Sequence, residues 1–196
     1  MIVGESMGAA TALQYAALPG SSKDVDAIIA DCSFSDMEEE LVARLAAYHI
    51  PRVFSFPVQF VLGHLSKRLR GFSLKDASPQ RAVLASSLPV LFIHGADDTY
   101  VPARMSEKMA EQRKRKGTAA TGLLIVEGAR HAMSVLVNSE AWFSTAFGFI
   151  DEHPHGRLLI TSQDTCQLLP PVPWAVGFRL ASLVCHCIRE AVPCLR

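Results

Sequence analysis

Three short segments hold residue types that can do nucleophilic chemistry. The first is Gly4-Glu5-Ser6-Met7-Gly8. A serine at G-x-S-x-G spacing can sit at the apex of a sharp strand-to-helix turn, on strained backbone, with small flanking residues letting strand and helix approach closely. The helix start beneath it favours developing negative charge. The Met7 N–H is then a candidate oxyanion donor. The second segment is His94-Gly95-Ala96-Asp97-Asp98-Thr99-Tyr100-Val101-Pro102, directly after the apolar run LPVLFI. The third is Gly128-Ala129-Arg130-His131-Ala132-Met133, directly after LLIV. A serine hydroxyl needs a base to take its proton, and the base needs an acid to fix its tautomer. Ser6, His131 and Asp98 supply these three types, with Asp97 and Asp31 as alternative acids. Each segment also has a plain structural reading: Ser6 as a helix N-cap, one of the aspartates as a cap in a solvated loop, and His131 as a solvated loop histidine.

The elements that must position these residues alternate along the chain. Met1 to Val3, Val25 to Ala30, Leu88 to His94 and Leu123 to Val126 are short apolar runs and read as strands. Met7 to Leu18 is Ala-rich and stopped by Pro19-Gly20. Met37 to Tyr48 has acids in its first turn, and Ala103 to Lys116 and Ser139 to Glu152 are amphipathic. Strands apolar throughout, alternating with helices, predict a parallel sheet covered on both faces. All three chemistry-bearing segments then follow strands and share one end of the sheet, where open α/β folds place their sites.

The order Ser, Asp, His along the chain is that of α/β-hydrolases. Residues 1 to 153 resemble the C-terminal half of that fold. GESMGAAT is similar to its nucleophile elbow, HGADDTYVP to its acid loop with Asp98 as the acid, and GARHA to its histidine loop. The nearest groups are the serine aminopeptidase, prolyl-oligopeptidase-like and acyltransferase-like hydrolases. The resemblance implies a partial α/β-hydrolase fold with a helical cap insertion. It also implies a serine hydrolase that cleaves an acyl ester or a peptide or amide bond through an acyl-enzyme, with no cofactor. In that role Ser6 attacks, His131 shuttles the proton and Asp98 orients the imidazole. The other class of function is a catalytically impaired remnant or an interaction subunit.

Residues 32 to 87 are a long excursion between adjacent strands, decorated by Tyr48, Phe54, Phe56, Phe60 and Phe72. They read either as a lid forming an apolar acyl pocket over Ser6 or as ordinary helix-packing aromatics. Lys108 and Arg113 to Lys116 read as a solvated basic helix end suited to the macrodipole. His49, His64, His153 and His155 read as surface residues.

Composition narrows the partners. The chain has 196 residues, with 19 Lys+Arg against 19 Asp+Glu and 49% hydrophobic residues. That balance excludes an electrostatic nucleic-acid binder. No apolar run is long enough for a membrane span. The substrate is expected to be a small-molecule or peptide acyl compound. The start MIVGESMG lacks a secretion signal, and five cysteines then read as free thiols in a reducing, cytoplasmic setting. Cys185-His186-Cys187 has no CxxC spacing, so no metal is expected.

Two features do not fit a complete domain. The elbow begins at residue 4, whereas such a sheet normally has about eight strands and draws a second oxyanion donor from an early loop. A chain truncated at an internal methionine is one expectation, a genuine short protein the other. In either case the elbow strand would leave an apolar edge open to a partner or to self-association. Residues 154 to 196 hold four of the five cysteines and show no period; they read as a disordered or loosely helical tail, with Trp174 to Ile188 a candidate helix over the open edge.

Overall fold

A computed structural model describes residues 1–117, 119–153, 159–161 and 166–168. Four parallel strands form the centre: β1 (Ile2–Glu5), β2 (Ile28–Asp31), β3 (Val90–Gly95) and β4 (Thr121–Val126). The register runs Ile2 beside Ile28, Ile28 beside Val90 and Val90 beside Thr121. Two further short strands, β5 (Leu159–Thr161) and β6 (Cys166–Leu168), extend the sheet to the order β4-β3-β2-β1-β5-β6. β5 runs parallel to β1, and β6 antiparallel to β5.

This corrects the expectation of an open edge at β1. Ile2 to Gly4 pair with Leu159 to Thr161, so the residues after 153 supply a neighbour for the elbow strand. The region Trp174 to Ile188, the Cys185-His186-Cys187 run, Cys194 and His155 lie outside the described residues.

Period-two alternation divides the strands between two cores. Ile28, Ala30, Val90 and Phe92 face one side. There they meet Ala9, Ala12 and Leu13 of the helix α1 (Met7–Tyr15), together with Val83, Met109 and Ala110 from helices further along the chain. Ile29, Leu91 and Ile93 face the other side, against Trp142, Ala146 and Phe149 of the last described helix. Between α1 and β2 lies the single turn α2 (Ser21–Asp24). The excursion after β2 contains α3 (Met37–Ala47), a 3-10 turn (Arg52–Phe54), α4 (Ser55–Arg70), a second 3-10 turn (Leu74–Asp76) and α5 (Pro79–Ala85). The chain then runs through β3, α6 (Arg104–Lys116), β4, the short α7 (Ser134–Val137) and α8 (Ser139–Glu152).

The α4 helix was not legible in a segment broken by Pro51 and Pro57. Pro57 falls in its first turn, where a missing N–H has no helical acceptor to lose. Its more buried residues are Ser55, Val58, Gln59, Gly63 and Ser66. Phe56, Phe60, Val61, Leu65 and Leu69 face solvent. The insertion's aromatics therefore form neither a pocket over Ser6 nor a packed layer. Tyr48, Phe54, Phe56, Phe60 and Phe72 are 45–77% exposed.

The basic end of α6 is not a uniformly solvated face. Arg113 is fully buried. Its guanidinium donates to the carbonyls of Val83, Ser86 and Leu88 and to Thr121 Oγ1, pinning the end of α5 and the entry to β3. Loop carbonyls without strand or helix partners need donors, and one planar fork supplies several. Lys108 pairs with Glu39 of α3, which also receives Arg104, so α6 holds the insertion from below.

Candidate active site

The carboxyl ends of β1 to β4 converge on one edge of the sheet. Ser6 leaves β1 at φ 52, ψ −117, a region that costs an L-residue roughly 1–3 kcal/mol. The turn is tight because Gly4 packs on the helix start. A Cβ there would lie 2.7 Å from Ala9 N and from the Gly8 carbonyl. The Ser6 N–H bonds Asp31 O at 2.9 Å, fixing the elbow to β2. Met7 opens α1, so its N–H has no carbonyl one turn back.

Ser6 Oγ lies 2.8 Å from His131 Nε2, and His131 Nδ1 lies 2.7 Å from Asp98 Oδ2. A carboxylate can only accept, so Nδ1 carries the hydrogen and Nε2 is left as acceptor for the serine hydroxyl. His131 stands in a turn whose next residue, Ala132, has φ 58, and the preceding Ala129 lies on Gly95, where a Cβ would collide with the Ala129 carbonyl. Small residues at these points let the acid and histidine loops approach.

Asp98 is buried and heavily solvated by protein donors. Its Oδ1 accepts the N–H groups of Tyr100 and Val101, each at 2.8 Å. Its Oδ2 accepts His131 and lies 3.2 Å from His94 Nε2. Burial alone would raise its pKa. The hydrogen bonds from His131, His94 and Val101 outweigh burial and hold the carboxyl well below the usual carboxylate range. His94 also faces Val101 O at 2.9 Å through Nε2 and Ser106 Oγ at 2.7 Å through Nδ1. A carbonyl cannot donate, so Nε2 holds the hydrogen and Nδ1 accepts from Ser106.

The other two candidate acids sit elsewhere. Asp97 is exposed. Asp31 ends β2 but is turned to the α8 side, accepting from Trp142 Nε1 at 2.8 Å and Ser134 Oγ at 3.3 Å. Burial pushes its carboxyl up to about 6. Cys32, next to it at φ 47, is buried, and burial raises its thiol pKa.

Three residues around the site were given no role by the motifs, although Tyr100 lies within the acid loop. The Tyr100 ring lies 4.8 Å from the His131 ring. Arg44, reaching over from α3, places its guanidinium 4.0 Å above Tyr100 and donates to Thr99 O at 2.7 Å. Glu40, buried one turn earlier, lies 3.0 Å from Arg44 Nε. Burial pushes its carboxyl up to about 7 against the attraction of Arg44. A cleft of about 580 Å³ between α3 and α6, bordered by Glu38, Val42, Arg52 and Gln59, contains none of Ser6, His131 or Asp98.

The model of the prolyl oligopeptidase family matches residues 1–156. The chain belongs to this family. As a prolyl oligopeptidase family member it has a 38% identical relative, the uncharacterised protein YqkD of Bacillus subtilis (strain 168), over 151 residues. The match takes in 76% of this chain and 47% of the relative, so the chain spans about half the length of that protein. Among solved structures, the acylaminoacyl peptidase of Pyrococcus horikoshii superimposes with a TM-score of 0.58 at 15% identity, over 78% of this chain and 23% of that one. A thermophilic esterase of Thermogutta terrifontis gives 0.56 at 20% identity, over 77% and 54%. An esterase of Pyrococcus furiosus gives 0.54 at 18%, over 77% and 53%. At such identities the likeness is one of fold, and the fold is that of the α/β-hydrolases. The family is one of serine hydrolases.

Proposed function

We propose that Ser6, His131 and Asp98 act as nucleophile, general base and orienting acid in the hydrolysis of an acyl ester or a peptide or amide bond. The observation that carries this reading is the continuous path from Ser6 Oγ to His131 Nε2 at 2.8 Å and from Nδ1 to Asp98 Oδ2 at 2.7 Å.

His131 takes the Ser6 proton as Oγ adds to the acyl carbonyl. The resulting imidazolium is stabilised by Asp98, which stays ionised. The developing oxyanion lies at the start of α1, where the Met7 N–H and the helix dipole favour negative charge. His131 then protonates the leaving group, releasing it and leaving an acyl-Ser6. Water, deprotonated by His131, hydrolyses that ester and regenerates the serine. Near Ser6 and His131 the exposed side chains include Met7, Tyr100 and Met133, with Glu5 beside Ser6. Apolar acyl groups suit Met7, Tyr100 and Met133, and the carboxylate of Glu5 disfavours anionic ones.

The test is turnover of a chromogenic acetate ester. Turnover with a pre-steady-state burst, reduced about a millionfold in kcat by Ser6→Ala, supports the reading. Equal turnover by the Ser6→Ala protein sinks it. An inert wild-type chain, shown folded by circular dichroism, favours an interaction subunit or impaired remnant.

A further inference from the structure

One stretch of the insertion carries charge of one sign. Residues 41 to 75 contain Arg44, Arg52, Lys67, Arg68, Arg70 and Lys75 and no Asp or Glu. The chain as a whole is neutral, so its remainder is net acidic. The same stretch exposes an unusual amount of apolar surface. Val53, Phe54, Phe56, Phe60, Val61 and Leu69 are each more than half exposed, and Leu65 nearly so.

The α4 helix organises both features. Its more buried residues are Ser55, Val58, Gln59, Gly63 and Ser66, with Leu62 beside them at the edge. Gln59 Nε2 donates to Glu38 O of α3, and Ser55 and Ser66 satisfy their hydroxyls on carbonyls three residues back, Arg52 O and Gly63 O, so this side is mainly polar, with half-buried Val58 its apolar member. The outward arc carries Phe56, Phe60, Val61, Leu65 and Leu69, with Lys67 and Arg68 exposed among them. A helix packed for burial in its own domain would point the other way. Phenylalanine and leucine beside lysine and arginine, on a helix lying on a surface, is the pattern of a helix seated in a membrane interface. Contiguous exposed apolar surface of this kind marks an interaction site.

The geometry points to the outer face of the insertion, centred on α4, as a docking surface for an anionic lipid bilayer. The apolar side chains would enter the acyl boundary. Arg52, Lys67, Arg68 and Lys75, exposed around them, would meet lipid phosphates. The contact proposed is that of a helix lying in the interface; no helix among the described residues is long and apolar enough to cross a membrane. A second copy of the chain fits this face less well, because a face-to-face pairing would set two cationic stretches against each other. The inference is independent of the hydrolase reading: Ser6 has no part in it.

The experiment is flotation of the purified full chain with phosphatidylcholine vesicles, with and without phosphatidylglycerol. Flotation with the phosphatidylglycerol vesicles alone is expected, and salt at about 1 M, where the screening length is about 3 Å, should abolish it. The exposed double substitution Lys67→Glu with Arg68→Glu should weaken partitioning roughly thirtyfold or more. Phe56→Ser with Phe60→Ser should weaken it roughly tenfold or more. Circular dichroism checks that both variants fold. Absence of flotation overturns the inference, as does flotation equal with neutral and anionic vesicles or unchanged in both variants. Self-association that is lost in the phenylalanine variant, without flotation, assigns the face to a second copy and also overturns it.

Discussion

The Tyr100 ring leans on the His131 imidazole, centroids 4.8 Å apart and planes 42° from parallel, while Arg44 of the insertion stands over the Tyr100 ring at 4.0 Å. These contacts thus run from α3 to the imidazole beside Ser6. The contact positions His131 without touching the reacting bond. Tyr100→Ala should lower kcat by roughly ten- to a hundredfold with a smaller change in KM, because a misplaced base slows proton transfer more than binding. Tyr100→Phe keeps the ring and should restore most of the rate. Steady-state ester kinetics on the two variants check this.

Asp98 and Asp31 part company as candidate acids. Asp98 meets His131 at 2.7 Å, whereas Asp31 is hydrogen-bonded to Trp142 and Ser134. Asp98→Asn should lower kcat by about 10⁴-fold through the wrong imidazole tautomer. Asp31→Asn should leave kcat within roughly tenfold of wild type. Full activity in Asp98→Asn with loss in Asp31→Asn would reverse the assignment.

Asp31 also sets a pH dependence of stability. Its carboxyl titrates at about 6 in the folded chain against an ordinary 3.8. Between those values the folded state holds the proton and the unfolded state does not. Stability therefore falls as pH rises from about 4 to about 6, by on the order of 2–3 kcal/mol. Asp98 works in the opposite sense and in a lower window. Its depressed pKa contributes stability above the ordinary value, and this is lost as pH falls below about 4. Buried Glu40, pushed up to about 7, adds a slope of the same sign, so urea unfolding across about pH 4 to 7 should show both, and Asp31→Asn should remove its share while leaving that of Glu40.

Arg113 is a structural clamp. Arg113→Ala strips donors from the carbonyls of Val83, Ser86 and Leu88 and should destabilise the fold by about 3 kcal/mol or more. Arg113→Lys should rescue only part, because a point charge cannot reproduce the planar fork. Neighbouring Arg115, which is exposed and paired with Glu111, should change stability by less than about 0.5 kcal/mol when replaced by alanine. Denaturant midpoints read all three.

The central sheet was legible because its strands are buried on both faces. Ile28, Ile29 and Ala30 can only be interior, and the same holds for Val90 to Ile93. The chain order of Ser6, Asp98 and His131 was legible too, since each follows a strand. The α4 helix was not, because the usual pattern is reversed in it and most of its apolar residues point outward. The strands β5 and β6 are three residues each, too short to show a period. Arg44 and Glu40 belong to no motif, and Tyr100 stands in the acid loop without a motif role of its own. Their roles depend on how α3 lies over the acid loop, a long-range placement that local spacing does not encode. Arg113 was misread because a cation at a helix end has a sufficient local reason to be there, which hides its burial.

The most direct measurement of the central claim is covalent labelling with a fluorophosphonate, followed by intact-mass and peptide mapping. The account predicts a single adduct on Ser6, absent in Ser6→Ala and strongly slowed in His131→Ala. A folded chain that takes no adduct, or takes one that persists in Ser6→Ala, would contradict it.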